Sequence, residues 1–284
     1  MSDIQFKEKF VAFIDVLGFK KMVQAAEAGT GMPLDKLLEV LKTLGSPEER
    51  GRIGKSGPTI CPKTKYLQRD LDFRVTQISD CSVISAEISP SGVVNLVCFC
   101  WGIVMGLLRS GIMCRGYITR GLVFHTDQQV VGSGYQRAFD NEKNVTAFKR
   151  EADERGTPYV EVDRTVSDYV KESDDWCTKE MFGRFVKDDG VVVALFPFKK
   201  LAHSFIVAGW GHKCDPEEEK RNVQNMRVII GQIKERVLSF VDPANQDAVK
   251  KAQHYILALD AQLAVCDKTD EVIKTLDYPI PFRR

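Results

Sequence analysis

The chain has 284 residues, of which 44% are hydrophobic and 28% are charged, as is ordinary for a globular protein with a substantial core. Forty basic residues stand against 39 acidic ones, so the net charge of +1 gives no reason to expect nucleic acid or an acidic membrane as a partner. Eight cysteines without a CxxC spacing, and an N-terminus without an apolar signal core, favour free thiols and a cytoplasmic location.

The first part of the chain alternates short β-type runs with helical patterns. KFVAFIDVL is apolar and β-rich, which predicts a buried strand. Glycine and proline separate the segments that follow. The predicted elements are a strand at 9–17, helices at 20–28 and 32–45, a loop at 45–63, and a hairpin at 72–88 with its tight turn near Ser79 and Asp80.

One apolar segment has the composition of a membrane span but not its length. No charged residue occurs from Val93 to Leu108, which is 16 residues, whereas a bilayer requires about 20. A helix that is apolar all round belongs in a protein core. We therefore predict a helix at 93–109 that is buried against a sheet, and no stable membrane insertion.

The order of the elements predicts an α/β (α+β) sandwich, with a mixed, mainly antiparallel sheet flanked by helices. Residues 1–200 form the predicted catalytic domain, and 201–284 form a mostly helical C-terminal extension that is expected to pack on it. The later elements are strands at 113–125, 128–134, 158–163 and 190–198, and helices at 135–156, about 216–241 and about 244–266.

Two lone carboxylates lie in β-type apolar sequence. Asp15 stands between Ile14 and Val16, and Asp80 lies in ISDCSVIS. If the two strands are adjacent, the carboxylates meet and raise each other's pKa unless a cation lies between them. Mg²⁺ and Mn²⁺ prefer oxygen ligands, and Mg²⁺ commonly binds one or two carboxylates together with substrate phosphates. The alternative is that each Asp is a turn or cap residue.

Four motifs follow one another over about half of the chain. They are FIDVLGF at 13–19, RVTQISDCSVIS at 74–85, RGYITRG at 115–121 and VVGSGYQRAF at 130–139. In this order they resemble the motifs of class III nucleotidyl cyclases. The resemblance is strongest to a bacterial branch, the pyrimidine cyclases of Pycsar antiphage defence. That branch shares a helix that begins at the fourth motif and continues to a Glu, here Glu142, and a helical C-terminal extension.

The resemblance implies a homodimer with active sites at the interface. Asp15 and Asp80 would hold two divalent ions, Mn²⁺ or Mg²⁺, which suit this reaction because they stabilise both the attacking and the leaving oxygen. Lys187 falls roughly where the family places a triphosphate-binding lysine. The product would be a cyclic nucleotide that acts as a second messenger for a separate cyclic-nucleotide-sensing effector.

The base-reading positions of the family differ in this sequence. Where adenylyl cyclases have a Lys and an Asp, this chain has Thr76 and Gln129. These uncharged side chains do not reproduce a Lys/Asp readout, but they can pair with a carbonyl and imide edge such as that of uracil. UTP is therefore the expected substrate, with CTP as the alternative.

The transition-state pair of the family is also altered. Its Asn and Arg fall on Gln136 and Asp140, and Asp140 would repel the developing phosphate charge. Arg115, which aligns with a family arginine, is the favoured replacement. Arg120, five residues further on, is expected on the opposite face of the strand, and Arg137 is the alternative.

These observations predict a uridylate cyclase that converts UTP to 3′,5′-cyclic UMP and pyrophosphate. A cytidylate cyclase is the nearest alternative. A non-enzymatic, dimeric pseudo-cyclase that binds nucleotide is favoured by Asp140, whereas retention of Asp15 and Asp80 favours the enzyme. A purine cyclase with a divergent readout is opposed by Thr76 and Gln129.

Overall fold

The computed structural model describes residues 4–45, 70–198 and 216–275. The chain divides into two compact units, Met1–Pro197 and Phe198–Arg284. The first unit contains a β-sheet with helices, and the described part of the second contains two long helices. Apart from its first residue, the loop predicted at 45–63 lies outside the described residues.

Eight strands and eight helices are present in the described residues. The strands are β1 Lys7–Val16, β2 Phe73–Ile78, β3 Cys81–Glu87, β4 Cys114–His125, β5 Val130–Val131, β6 Val160–Val162, β7 Val186–Asp188 and β8 Val193–Leu195. The helices are α1 Phe19–Glu27, α2 Leu34–Lys42, α3 Pro90–Arg109, α4 Ser133–Glu142, α5 Arg164–Glu172, α6 Trp176–Gly183, α7 Pro216–Phe240 and α8 Gln246–Thr275.

The sheet has the order β2-β3-β1-β4-β6-β8-β7, with β5 paired to β4. All pairs are antiparallel except β4 with β6. The first four strands and their helices follow the split β-α-β-β-α-β pattern, in which β1 lies between β3 and β4. The predicted fold class, a mixed and mainly antiparallel sheet flanked by helices, is confirmed.

Both faces of β1 are covered, which explains its continuous apolar sequence. Phe10, Ala12 and Ile14 are fully buried on one face, where α3 packs on β1 and β3. Val11 and Phe13 lie on the other face, in a cluster with residues of β3, β4 and α4. Because side chains alternate along a strand, Asp15 lies on this second face as well.

The helix predicted at 93–109 is α3, and it is a core helix. Among the described residues it is the one helix long and apolar enough to cross a membrane, and 72% of its most apolar window is buried inside the protein. Ser89 caps it by accepting a hydrogen bond of 2.9 Å from the Gly92 N–H. The six cysteines that the structure describes are free thiols.

The prediction of a helix at 135–156 is wrong beyond Glu142, where α4 ends. Side chains satisfy the following backbone groups instead of helical carbonyls. The carboxylate of Glu161 accepts hydrogen bonds from the N–H groups of Thr146 and Ala147, at 2.8 and 3.1 Å, and such bonds compete with a helix. Phe148 adopts a positive φ of 54°, which no helix allows.

Three further elements were not predicted: α5, α6 and β7. Asp163 and Asp175 cap the two helices by accepting hydrogen bonds from backbone N–H groups within the first turn. Aspartate at the N-cap is an ordinary helix signal, but both helices have fewer than ten residues, so their hydrophobic periodicity is brief. Strand β7 has three residues, of which only Val186 is buried.

The second unit contains a helical hairpin. Ion pairs show that α7 and α8 are antiparallel. Arg227 binds Asp267 and Asp270, whereas Lys234, which lies later in α7, binds Asp260, which lies earlier in α8. Buried residues on α8 recur with alternating spacings of three and four, as in a coiled coil. They are Ala252, Tyr255, Leu259, Gln262, Cys266, Thr269 and Ile273, and His254 is buried in addition, outside this spacing.

Candidate active site

Asp15 and Asp80 lie next to each other at one end of the central strands. The register partner of Asp15 on β3 is Cys81, the residue that follows Asp80. The backbone carbonyl of Asp80 accepts a hydrogen bond of 3.1 Å from the Val16 N–H. Both aspartates are half-buried. The hairpin register therefore brings two acidic residues to the same edge of the sheet.

The turn that carries Asp80 contains a strained residue. Ile78 pairs with Cys81, so only Ser79 and Asp80 join β2 to β3. Ser79 has a φ of 54°, a left-handed conformation that costs a residue with a Cβ about 1–2 kcal/mol. Glycine has no Cβ and adopts this conformation without that cost, so it would suit this position better than serine.

The environment of Asp15 has an excess of negative charge. Burial, then Glu142 and then Asp80 raise the pKa of Asp15 to about 6, and Arg115 opposes this shift only in part. Burial together with Asp15, Asp80 and Glu142 also raises the pKa of the Cys81 thiol to about 12. A cation at this edge of the sheet would relieve the repulsion between the carboxylates.

Arg115 is the counter-charge of the cluster. It lies directly across from Asp15 in the β1–β4 register, and its Nε donates a hydrogen bond of 2.5 Å to Glu142 Oε1. The side chains of Arg115 and Glu142 are 14% and 2% exposed. Gly156 packs against the guanidinium group, since a Cβ there would lie 2.5 Å from Nη1. Arg115 is therefore held inside the protein by Glu142, on the strand next to Asp15.

The sequence predicted no role for Glu142, but α4 places its carboxylate within hydrogen-bond distance of Arg115. The helix buries Gly134, Ala138 and Glu142, which are spaced by four residues. A Cβ on Gly121 would lie 2.9 Å from the Gly134 Cα, so the two glycines let α4 lie close to β4. The signal in the sequence was this spacing, which places Glu142 on the helix face of two small residues.

Thr76 and Gln129 are neighbours through Thr126. Thr76 Oγ1 donates a hydrogen bond of 3.1 Å to the Thr126 carbonyl, and the Thr126 N–H donates one of 2.8 Å to the Gln129 carbonyl. Thr76 is 8% exposed and also contacts His125 Nε2 at 3.0 Å. Gln129 is exposed. The structure brings the two residues together, and Gln129 is the accessible one.

Gln136, Arg137 and Asp140 lie on the exposed side of α4. Arg137 Nη1 donates a hydrogen bond of 3.2 Å to the Arg120 carbonyl. The guanidinium of Arg120 forms two hydrogen bonds of 3.0 Å with the Glu8 carboxylate. Arg137, the alternative to Arg115, and Arg120 therefore both have partners within the chain.

Lys187 lies far from the two aspartates in one chain. It belongs to β7 at the edge of the sheet, and its Nζ lies 4.8 Å from the ring centre of Phe196 and 5.7 Å from that of Phe148. Four strand-to-strand steps separate β7 from β1, which is about 19 Å at the usual spacing. The structure does not bring Lys187 to Asp15 or Asp80 within a single copy.

The chemistry of the donor set fits a divalent cation. In the described part of the chain, no group of three or more His, Cys, Asp or Glu side chains is arranged to hold a metal ion. Asp15 and Asp80 supply two carboxylates, and Mg²⁺ commonly takes one or two protein carboxylates with its remaining ligands from water and phosphates. The raised pKa of Asp15 marks the negative charge that such an ion would compensate.

A cavity of about 520 Å³ lies at the opposite end of β1, beside His125 and Thr126. Its charged residues largely compensate one another. Lys9 Nζ lies 2.7 Å from Asp72 Oδ1, and Arg74 lies within 3.7 Å of Asp72 and 3.5 Å of Asp127. The acidic side chains of this cavity therefore have basic partners, whereas the negative charge around Asp15 is offset only in part.

No protein-family model and no curated protein matches the sequence. Among solved structures, the chain is similar to a bacterial light-regulated adenylyl cyclase, with 12% identity and a TM-score of 0.39. The superposition covers 81% of this chain and 58% of that one, so this chain spans less than two thirds of the length of the other. The fold and the site together define an α+β domain with two adjacent carboxylates.

Proposed function

We propose that the protein is a metal-dependent nucleotidyl cyclase that converts UTP to 3′,5′-cyclic UMP and pyrophosphate. The proposal rests on one observation: Asp15 and Asp80 lie next to each other at one edge of the sheet. Arg115 offsets only part of the negative charge there. The four ordered motifs that resemble class III nucleotidyl cyclases support this choice of reaction, because two of them contain these aspartates.

Asp15 and Asp80 are the residues that would hold the ions, Mn²⁺ or Mg²⁺. When bound, the ions stabilise the attacking and leaving oxygens of the phosphoryl group. Arg115 binds Glu142 and partly offsets the repulsion between Glu142 and Asp15. Helix α1 begins at Phe19 without a side-chain cap, so its first backbone N–H groups are suited to bind phosphate oxygens.

We further propose that two copies of the chain form the active site. Lys187 is about 19 Å from β1 across the sheet, which is longer than a lysine side chain. A homodimer that places Lys187 of one copy near Asp15 of the other removes this difficulty. Gln136 on the exposed side of α4 would donate a hydrogen bond to phosphate in the same interface.

The preferred base is inferred from the residues at the reading positions, whereas the biological role rests on the resemblance alone. Gln129 is exposed and uncharged, and its amide offers one donor and one acceptor to a pyrimidine edge. UTP is the preferred substrate in this proposal, and CTP is the alternative. The product would be an intracellular messenger in antiphage defence, sensed by a separate effector.

The test is to incubate the purified protein with each of the four ribonucleoside triphosphates and Mn²⁺, and to identify the products by mass spectrometry. We expect cyclic UMP and pyrophosphate from the wild type. Asp15→Ala and Asp80→Ala should each lower the rate by about 10²–10³-fold, since each removes preorganised charge at the reacting phosphate. Asp168→Ala is the control, because Asp168 is 56% exposed and pairs only with Lys171 among the described residues.

The possible products separate the alternatives. Cyclic CMP as the main product would assign a cytidylate cyclase, and cyclic AMP alone would refute the pyrimidine preference. Tight binding of triphosphate without any cyclic product would establish the pseudo-cyclase that Asp140 favours. Equal rates for the wild type and Asp15→Ala would refute the proposed role of the carboxylates.

A further inference from the structure

A buried histidine connects the two positions that the proposed function assigns to base reading. His125 is 7% exposed, and Thr76 and Ser85 beside it are 8% and 0% exposed. His125 Nε2 lies 3.0 Å from Thr76 Oγ1, and its Nδ1 lies 2.8 Å from Ser85 Oγ. Burial is the main reason that the pKa of His125 is lowered to about 4, so the ring is neutral at physiological pH.

The hydrogen bonds assign the tautomer of His125. The single hydroxyl hydrogen of Thr76 is donated to the Thr126 carbonyl, at 3.1 Å. Since a neutral imidazole has one donor nitrogen and one acceptor nitrogen, Nε2 must carry the hydrogen and donate it to Thr76. Nδ1 then accepts the hydrogen of Ser85. Every donor in this network has a partner inside the protein.

The same network fixes the turn that follows β4. Thr126 accepts hydrogen bonds at its Oγ1 from the N–H groups of Gln128 and Gln129, at 3.3 and 3.1 Å. Its own N–H donates to the Gln129 carbonyl at 2.8 Å. The backbone of Gln129 is thereby held to Thr76 through Thr126, while the Gln129 residue is exposed.

We propose that His125 is a positioning residue that fixes the Thr76 hydroxyl and the Thr126–Gln129 turn, so that Gln129 alone of the reading pair contacts the nucleotide base. The proposal rests on the proposed function for the identity of the ligand, a nucleoside triphosphate. Thr76 does not contact the base, because its hydroxyl hydrogen is donated to the Thr126 carbonyl and its side chain is buried. The amide of Gln129 then sets the preference for a pyrimidine.

The experiment measures binding of UTP and ATP by titration calorimetry, with Ca²⁺ replacing Mn²⁺ so that bound triphosphate is not consumed. The readout is the ratio of the two dissociation constants, which a loss of folded protein does not change. Gln129→Ala should lower the preference for UTP by about tenfold, the usual effect of losing an amide–base pair. His125→Phe and Thr76→Val should lower it similarly, and Thr76→Ser should preserve it.

Double variants separate positioning from direct contact. If His125 and Thr76 act through Gln129, adding His125→Phe or Thr76→Val to Gln129→Ala changes the ratio no further. Thr178→Val is the matched control, because Thr178 is a buried threonine that donates to Asp175, and it should leave the ratio unchanged.

Two results would overturn the proposal on its own. One is an unchanged ratio in His125→Phe while Gln129→Ala alters it, and the other is a further change when Thr76→Val is added to Gln129→Ala. If the wild type binds no triphosphate, the proposed function fails together with this inference, and that result differs from either of the first two.

Discussion

Individual residues show how far the sequence determines the site. Asp15 and Asp80 stand out in the sequence because each lies alone in a β-type run, and a hairpin register is a local property that brings them to one edge. The pairing of Arg115 with Glu142 was not predicted, because it depends on where α4 packs. The bonds among Thr76, Ser85 and His125 likewise join three strands that only the folded sheet brings together.

His125 should make stability depend on pH. Its pKa falls from an ordinary value of 6.5 to about 4 in the folded protein. Above pH 6.5 both states are neutral and the protein has its full stability. Between pH 6.5 and 4 only the unfolded state binds the proton, so stability falls by about 3 kcal/mol as the pH is lowered. The Lys9 and Arg74 charges contribute to this shift, and Asp127 and Asp72 oppose it.

Urea denaturation between pH 7 and pH 4 measures this effect, with His125→Gln as the control that cannot titrate. The difference in unfolding free energy between wild type and variant should shrink by about 3 kcal/mol over this range. Carboxylates titrate in both proteins and cancel in the difference. A difference that stays constant with pH would show that His125 does not remain neutral in the folded state.

Whole elements were predicted best where their hydrophobic pattern was long. The central strand, the 72–88 hairpin and α3 have unbroken apolar or alternating patterns, and each occurs close to its predicted bounds. The predicted end of α4 lay too far along the chain, because the carboxylate of Glu161, distant in sequence, binds the N–H groups of Thr146 and Ala147. No local pattern reveals a bond between segments 14 or 15 residues apart.

The contact between α4 and β4 gives a prediction at the scale of elements. Gly121→Ala should destabilise the protein by about 1–3 kcal/mol, because the new Cβ would lie 2.9 Å from the Gly134 backbone. The helix must then move from β4, which also lengthens the Arg115–Glu142 contact. Thermal or urea unfolding measures the change.

Gly102→Ala is the matched control, because Gly102 lies within α3 and a Cβ there would meet no atom within 4 Å. Alanine should stabilise this helix by about 1 kcal/mol. The two Gly→Ala changes therefore have opposite expected signs. A gain in stability for Gly121→Ala would show that α4 does not approach β4 through the two glycines.

The whole molecule has a fold that the sequence patterns predict, and its strand order separates Lys187 from the two aspartates within one copy. The order of strands and helices predicted a mixed, mainly antiparallel sheet, and the structure has one. Distances across the sheet were not available from the sequence, so the remoteness of Lys187 from the two aspartates emerged only from the strand order. The dimer, the metal ions and the pyrimidine preference stay predictions.

The most direct test is the binding of Mn²⁺ alone, measured by electron paramagnetic resonance on the wild type, Asp15→Asn, Asp80→Asn and the exposed control Asp168→Asn. Carboxylates from two separate segments meet at Asp15 and Asp80, so each asparagine variant should weaken Mn²⁺ binding by at least about tenfold. Asp168→Asn should bind Mn²⁺ as the wild type does. Wild-type affinity in both Asp15→Asn and Asp80→Asn would contradict the metal site on which the account depends.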